Sequence, residues 1–304
     1  MRRRRCTERA APRPRGFTLL ELVLVIVIGG IIAAALSVFF RPAFDSYLAT
    51  RRRATLSAQA DAALRRIVSD TRQAVPNSIR SPNDQCFELV PTTAGGRLRM
   101  APDTVNDSGA GCTPSATCSA PLDTTAQTSV IDLLTPLSSV PAAGDWLVIG
   151  NQNPNDVYAG TNRATLSAVA TPAPSASFGA HRLTVSPLQF PLGYDGGRFS
   201  IVGAAQQAVF YVCSGADGSL DADGTGRGTL VRLSGYGFNA AYPAACPSVA
   251  SGQVMATGVT RCSFVYDPNQ GATQQNGFVY LQLELTRQNE RIALVVGAHV
   301  SNVP

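Results

Sequence analysis

The sequence predicts an α+β protein: a long N-terminal α-helix, apolar and transmembrane in its first half and amphipathic in its second, followed by an antiparallel β-sheet head. Three observations predict it. Residues 17–40 form a run of 24 residues in which Glu21 is the only ionisable side chain. Apolar positions then recur at helical spacing as far as residue 75. Beyond residue 77 the chain breaks into short β-rich runs separated by Gly, Pro, Ser, Asn and Asp.

The segment before the helix is a basic leader. Residues 1–16 hold seven arginines (Arg2 to Arg5, Arg9, Arg13, Arg15) against Glu8, and the rest of the chain holds eighteen arginines against nineteen acids. The net charge of +5 therefore belongs to the leader. No basic footprint for nucleic acid remains elsewhere. With 304 residues and 45% apolar content, the chain is long and apolar enough for an anchor plus one large or two small folded domains.

As a helix, residues 17–40 extend about 36 Å, enough to cross a hydrocarbon core of roughly 30 Å. The arginines directly before the span place the N-terminus in the cytoplasm and the chain after Arg41 outside. Arg51 to Arg53 pull mildly the other way, but the leader is denser and abuts the span. A removable secretory signal ends in a small-residue cleavage site after its apolar region. Here Gly16 precedes the apolar run, so a cut there keeps the span and creates an amine at Phe17, one helical turn from Glu21. A glutamate inside a bilayer is costly and points to a partner. The alternative is a glutamate that snorkels to the interface near the helix start.

The stretch "RGFTLLELVLVIVI" is similar to the type IV pilin signature. In that family a prepilin peptidase cuts after the glycine and methylates the new N-terminal phenylalanine, and a glutamate stands fifth in the mature chain. The resemblance implies that Gly16 and Phe17 are processing residues and that Glu21 is an assembly residue. It also implies that the glutamate pairs with the N-terminal amine of a neighbouring subunit, which offsets the cost of burying it. The resemblance covers roughly the first sixty residues.

Past the span, Leu56, Ala60, Leu64, Ile67, Thr71 and Ala74 recur at spacings of three and four with charged residues between them. One helix is expected over 17–75, about 90 Å at 1.5 Å per residue. Pro42 is expected to bend it, and Pro76 and Asn77 to end it. The runs "CFELVP", "RLRMA", "DWLVIGN", "HRLTVSPLQF", "RFSIVG", "QAVFYVC", "GTLVRLSG", "RCSFVYD", "GFVYLQLELTR" and "RIALVVGAHVSNV" read as strands. The last five form an antiparallel meander from about Gln206 onward. Residues 101–130 and 170–180 read as long loops.

Removing the leader removes Cys6 and leaves Cys86, Cys112, Cys118, Cys213, Cys246 and Cys262, an even number in an exported domain and hence disulfide candidates. Cys112 is expected to pair with Cys118, closing a short loop, with one further bridge inside the trio Cys213, Cys246, Cys262. Free buried thiols are the alternative. Enzymatic constellations are missing: His181 and His299 are the only histidines, and there is no HExxH, CxxC, GxSxG, GxxxxGK[ST] or GxGxxG. No cofactor is expected. Asp217, Asp221 and Asp223 in "DGSLDADGTG" are spaced for calcium, but Arg232 stands where an EF-hand needs a glutamate. A solvated hairpin loop accounts for them equally well.

The head also resembles the MshO minor pilin family of mannose-sensitive haemagglutinin (MSHA) type pili, in "GDWLVIGN", "VYAGTNRA", "VFYVC", "LVRLSGYG", "CSFVYDP" and "VGAHVSNVP" taken in that order. In outline it is similar to the J-type pseudopilins of type II secretion. The resemblance implies three parts: a cleaved leader (1–16), a long helix (17–75) and a pilin-like head (76–304). It implies a non-catalytic minor pilin that is a substrate of prepilin peptidase. Its partners would be the membrane, the inner-membrane assembly platform, and other major and minor pilins met through the helix. It would reside in the bacterial inner membrane with its head periplasmic, then in the extracellular pilus near the tip. The other function class is an adhesin head that contacts a ligand through loops 101–130 and 170–180.

Overall fold

A computed structural model describes residues 16–137, 139–192, 197–270 and 276–303. The basic leader through Arg15, with Cys6, lies outside the described residues. The first element is helix α1 (Leu19–Arg72), 54 residues that include Pro42. The chain divides into two units within it, one ending at Arg52 and the other beginning at Arg53. In the first unit the apolar side chains are exposed, Phe17, Leu19 and Leu20 each by three-quarters or more. α1 is long and apolar enough to cross a membrane.

In the second unit α1 buries Leu56, Ala60, Ala63, Leu64, Ile67, Asp70 and Thr71. The stripe is the one its 3.6-residue period dictates. The helix ends at Arg72, three residues before the expected Val75. The backbone of the next residues turns to sheet-like bonding instead: Val75 N–H donates to Val90 O (2.8 Å) and Thr92 N–H to Gln73 O (2.8 Å).

Two short strands follow, β1 (Arg80–Asn83) and β2 (Cys86–Leu89). The chain then leaves to form six further strands: β3 (Ala94–Arg97), β4 (Thr128–Leu133), β5 (Trp146–Ile149), β6 (Arg163–Ala170), β7 (His181–Leu188) and β8 (Arg198–Val202). A short helix, α2 (Asp156–Ala159), separates β5 from β6. Finally come β9 (Val209–Ser214), β10 (Gly228–Ser234), β11 (Gln253–Gln270), β12 (Asn276–Arg287) and β13 (Glu290–Ser301).

The head thus resolves into two antiparallel sheets. One has seven strands in the order β1-β2-β9-β10-β11-β12-β13, and the other six in the order β3-β8-β5-β6-β7-β4. Strands β3 to β8 are an insertion between β2 and β9, which pair directly with each other. The expected meander is β9 to β13. Its last turn is a two-residue connection with Gln288 (φ 49°) and Asn289 (φ 64°) both left-handed, as a type I′ hairpin requires.

Several segments differ from the sequence reading. The run "RLRMA" is not a strand beyond Arg97: β3 lies earlier, over "AGGR", whose glycines read as a turn but pair with β8. Strands β1 and β6 were not anticipated, because "RSPN" and "RATLSAVA" lack the β-branched and aromatic density that marks strands. Strand β4 starts at Thr128, inside the segment expected to be a loop.

The larger core joins the α1 stripe to Phe87, Leu89, Tyr211, Leu230, Phe264, Leu281, Leu283 and their neighbours on the seven-stranded sheet. The insertion has its own core around Ile131, Leu147, Leu166, Leu183 and Ile201. A smaller cluster links the two, formed by Val75, Val90, Val148, Val157, Tyr158, Val202 and Ala208.

Buried ion pairs fasten these parts. Asp70 on α1 accepts from the Tyr211 hydroxyl (2.7 Å) and from Arg232 Nη2 (2.9 Å), which ties the helix to β9 and β10. Burial pushes the Tyr211 hydroxyl well up, so it stays a donor. Arg80 is fully buried and spends every guanidinium N–H. It bonds to Glu88, to Asn155 Oδ1 (3.1 Å) and to the carbonyls of Asn239 (3.0 Å) and Ala241 (3.1 Å), with Tyr158 stacked beneath it. It therefore joins β1, the insertion and the loop after β10. Arg182 on β7 pairs with Asp132 on β4 (2.6 Å) and donates to the carbonyls of Ser115 and Cys118 (2.8 Å to the latter). That holds the loop before β4 against its sheet.

The disulfides are Cys86–Cys246, Cys112–Cys118 and Cys213–Cys262. The last links β9 to β11, the two strands that flank β10 in the sheet order.

Removing one member of a buried pair leaves the other charge uncompensated, at a cost of about 3–5 kcal/mol. Asp70→Leu is expected to lose that much in urea unfolding, and the double variant Asp70→Leu/Arg232→Met to lose less than the single one. Replacing both Cys86 and Cys246 by Ser is expected to cost about 2–5 kcal/mol in the same measurement.

Candidate functional site: the N-terminal motif

Gly16, Phe17 and Thr18 precede α1 without regular structure, and all are exposed. Thr18 caps the helix: its Oγ1 accepts from the backbone N–H of Glu21 (3.2 Å), and its carbonyl accepts the first helical bond, from Leu22 N–H (3.2 Å). Thr18 and Glu21 have the spacing of a capping box. The signal was present in the sequence as a threonine three residues before a glutamate at the head of an apolar run, but the sequence reading did not use it. The glutamate also sits where the positive end of the helix dipole favours an anion.

Among the described residues, no side chain donates to or pairs with the Glu21 carboxylate. Other charges set in apolar runs behave differently. Glu88 in "CFELV", Asp132 in "VIDLL", Arg182 in "HRLTV" and Arg232 in "LVRLS" each find a counter-charge in the same chain. Glu284 in "LQLELT" meets Arg291 and the Thr260 hydroxyl (2.7 Å). Gly16 is likewise unexplained by internal packing, since a Cβ added there would meet nothing within 4 Å. Neither residue type is demanded by the fold of the single chain.

The remaining sequence candidates have structural surroundings. Asp217 accepts from Ser219 N–H (2.9 Å), and bonds from Ser219 hold its carboxyl below the usual range. Asp221 accepts from Asp223 N–H (3.0 Å) and Thr225 N–H (2.8 Å). They build turns, and among the described residues no group of three or more metal-ligating side chains comes together. His181 is buried, accepting from Leu137 N–H at Nε2 (3.0 Å) with Nδ1 2.8 Å from the Thr171 hydroxyl, so both ring nitrogens are used. His299 packs edge-on to Phe278.

Residues 12–37 match the family described as the prokaryotic N-terminal methylation motif. The N-terminus is type IV pilin-like. The matched segment contains Gly16, Phe17 and Glu21 together with the exposed apolar start of α1. The motif is that of type IV pilin and pseudopilin-type subunits. Its presence implies processing by a prepilin peptidase, membrane anchoring and assembly with other pilins, and it marks the chain as a substrate of that processing. No curated protein and no solved structure matches the chain.

Thr18→Ala is expected to weaken the first turn of α1 by about 1 kcal/mol, with Thr18→Ser retaining most of it. Hydrogen exchange at the Glu21 amide of the full chain in detergent micelles reads this directly, the alanine variant exchanging about fivefold faster.

Proposed function

We propose that this protein is a minor pilin, cut after Gly16, methylated at Phe17 and assembled through its N-terminal helix into a type IV pilus, where it supports initiation near the tip. The observation that carries the proposal is the unpaired Glu21 carboxylate on an exposed apolar helix that matches the methylation motif. In a filament the apolar surface of residues 17–40 packs against neighbours, and the Phe17 amine of an adjacent subunit supplies a cation for Glu21, which has none among the described residues. The paired charges recover much of the desolvation cost and fix the axial register between subunits.

Cleavage leaves 288 of the 304 residues. A head of two sheets is bulky beside a closely packed shaft, and a position near the tip relieves that crowding. Because Glu21 is retained, the place proposed is one with a subunit ahead of it. The ordered head stretches support an assignment among the MshO minor pilins of MSHA-type pili. A J-type pseudopilin of type II secretion is the same assembly chemistry in another machine.

Intact mass and N-terminal sequencing of protein recovered from membranes test the proposal. A chain beginning at methylated Phe17 only when prepilin peptidase is present is expected, and a chain beginning at Met1 with active peptidase rejects it. Glu21→Ala is expected to leave cleavage intact while reducing incorporation into filaments at least tenfold by immunoblot of sheared pili.

A further inference from the structure

A groove of about 370 Å³ opens where the end of α1, the β3–β8 edge of the six-stranded sheet and the end of β13 meet. That volume is in the range of small-ligand sites. Its lining includes Arg72, Arg97 and Arg198 and contains no aspartate or glutamate.

Arg97 and Arg198 are direct cross-strand partners at the end of the β3–β8 ladder. Their side chains therefore leave the same face of the sheet, with Cβ atoms about 5 Å apart, and like charges in that relation destabilise a sheet. Arg72 has an ordinary explanation, since a cation in the last turn of α1 complements the helix dipole. The other two have none: among the described residues, neither Arg97 nor Arg198 donates a side-chain hydrogen bond or meets a carboxylate, in contrast to the buried, carboxylate-paired Arg80, Arg182 and Arg232. Next to the pair, Ser200 lines the same wall and stands opposite Gly95, which presents no side chain of its own.

The geometry points to a binding site for the phosphate or sulfate group of a small anionic ligand, held between the guanidinium groups of Arg97 and Arg198 with Arg72 adding a third positive charge. Guanidinium forks match tetrahedral oxyanions through paired N–H bonds. A dianion also removes the repulsion that the empty pair carries. The site does not depend on the reading of the N-terminal motif.

Thermal unfolding of the full chain in a nonionic detergent tests it, with phosphate or sulfate exchanged for chloride at constant ionic strength. The wild type is expected to show a saturable rise in Tm. Arg97→Gln/Arg198→Gln is expected to melt higher than wild type without the anion and to lose the rise, its affinity weakened at least about tenfold. Arg97→Lys/Arg198→Lys, which keeps the charge and loses the forks, is expected to fold and to bind more weakly than wild type. Arg261→Gln, outside the groove, is expected to keep the full response. Glucose 6-phosphate shifting Tm at lower concentration than inorganic phosphate would identify a phosphorylated saccharide as the ligand, and equal responses a free oxyanion. No saturable response in wild type, or an undiminished one in the Arg97→Gln/Arg198→Gln variant, overturns the proposal.

Discussion

A charge removed from water needs a counter-charge removed with it, and the arrangement of this molecule follows from that constraint. In the head the requirement is met internally. Asp70 is held by Arg232 and Tyr211, Glu88 by Arg80 and Tyr236, and Asp132 by Arg182. The Asp70 pair joins the helix to the sheet, while Arg80 and Arg182, each paired with a carboxylate across adjacent strands, reach with their remaining N–H groups to the insertion and to the loop before β4. At the N-terminus Glu21 lies on an apolar helix, and among the described residues no cation pairs with it. The first case describes a head with its own core, and the second an exposed apolar helix carrying a carboxylate without a partner among the described residues.

The insertion of β3 to β8 between β2 and β9 explains why one long polar hub is needed. The seven-stranded sheet closes over the insertion point through the direct β2–β9 pairing, while the six-stranded sheet keeps a separate core. Among the described residues a modest apolar cluster joins the two. Arg80 adds directional bonds at that junction, reaching Asn155 beside α2 and the carbonyls after β10 from a strand that starts just beyond the end of α1. Relative placement of the two sheets then rests on hydrogen-bond geometry as well as on burial.

Much of the candidate site was legible because its signals are local. Gly16, Phe17 and Glu21 lie within six consecutive residues, and an uninterrupted apolar run needs no tertiary context to be read. The Thr18 cap has an equally local signal, a threonine three residues before a glutamate. The charges in "CFELV", "VIDLL", "HRLTV" and "LVRLS" carried the same message as Glu21, since a single charge inside a strand-like apolar run must find a buried partner. Their partners were not legible: Arg232 and Asp70 are 162 residues apart, and nothing in either neighbourhood names the other.

By itself the sequence determined what depends on periods of two to four residues: the apolar span, the helical stripe from Leu56 to Thr71, most strands and the β9 to β13 meander. The tertiary structure alone decided the division into two sheets and the strand identity of "RSPN" and "AGGR". It also decided the pairing of Cys86 with Cys246 and of Cys213 with Cys262, and the face-to-face placement of Arg97 and Arg198. Each of these is a relation between residues distant in the chain, set by which surfaces the two cores bring together, and no local pattern encodes it.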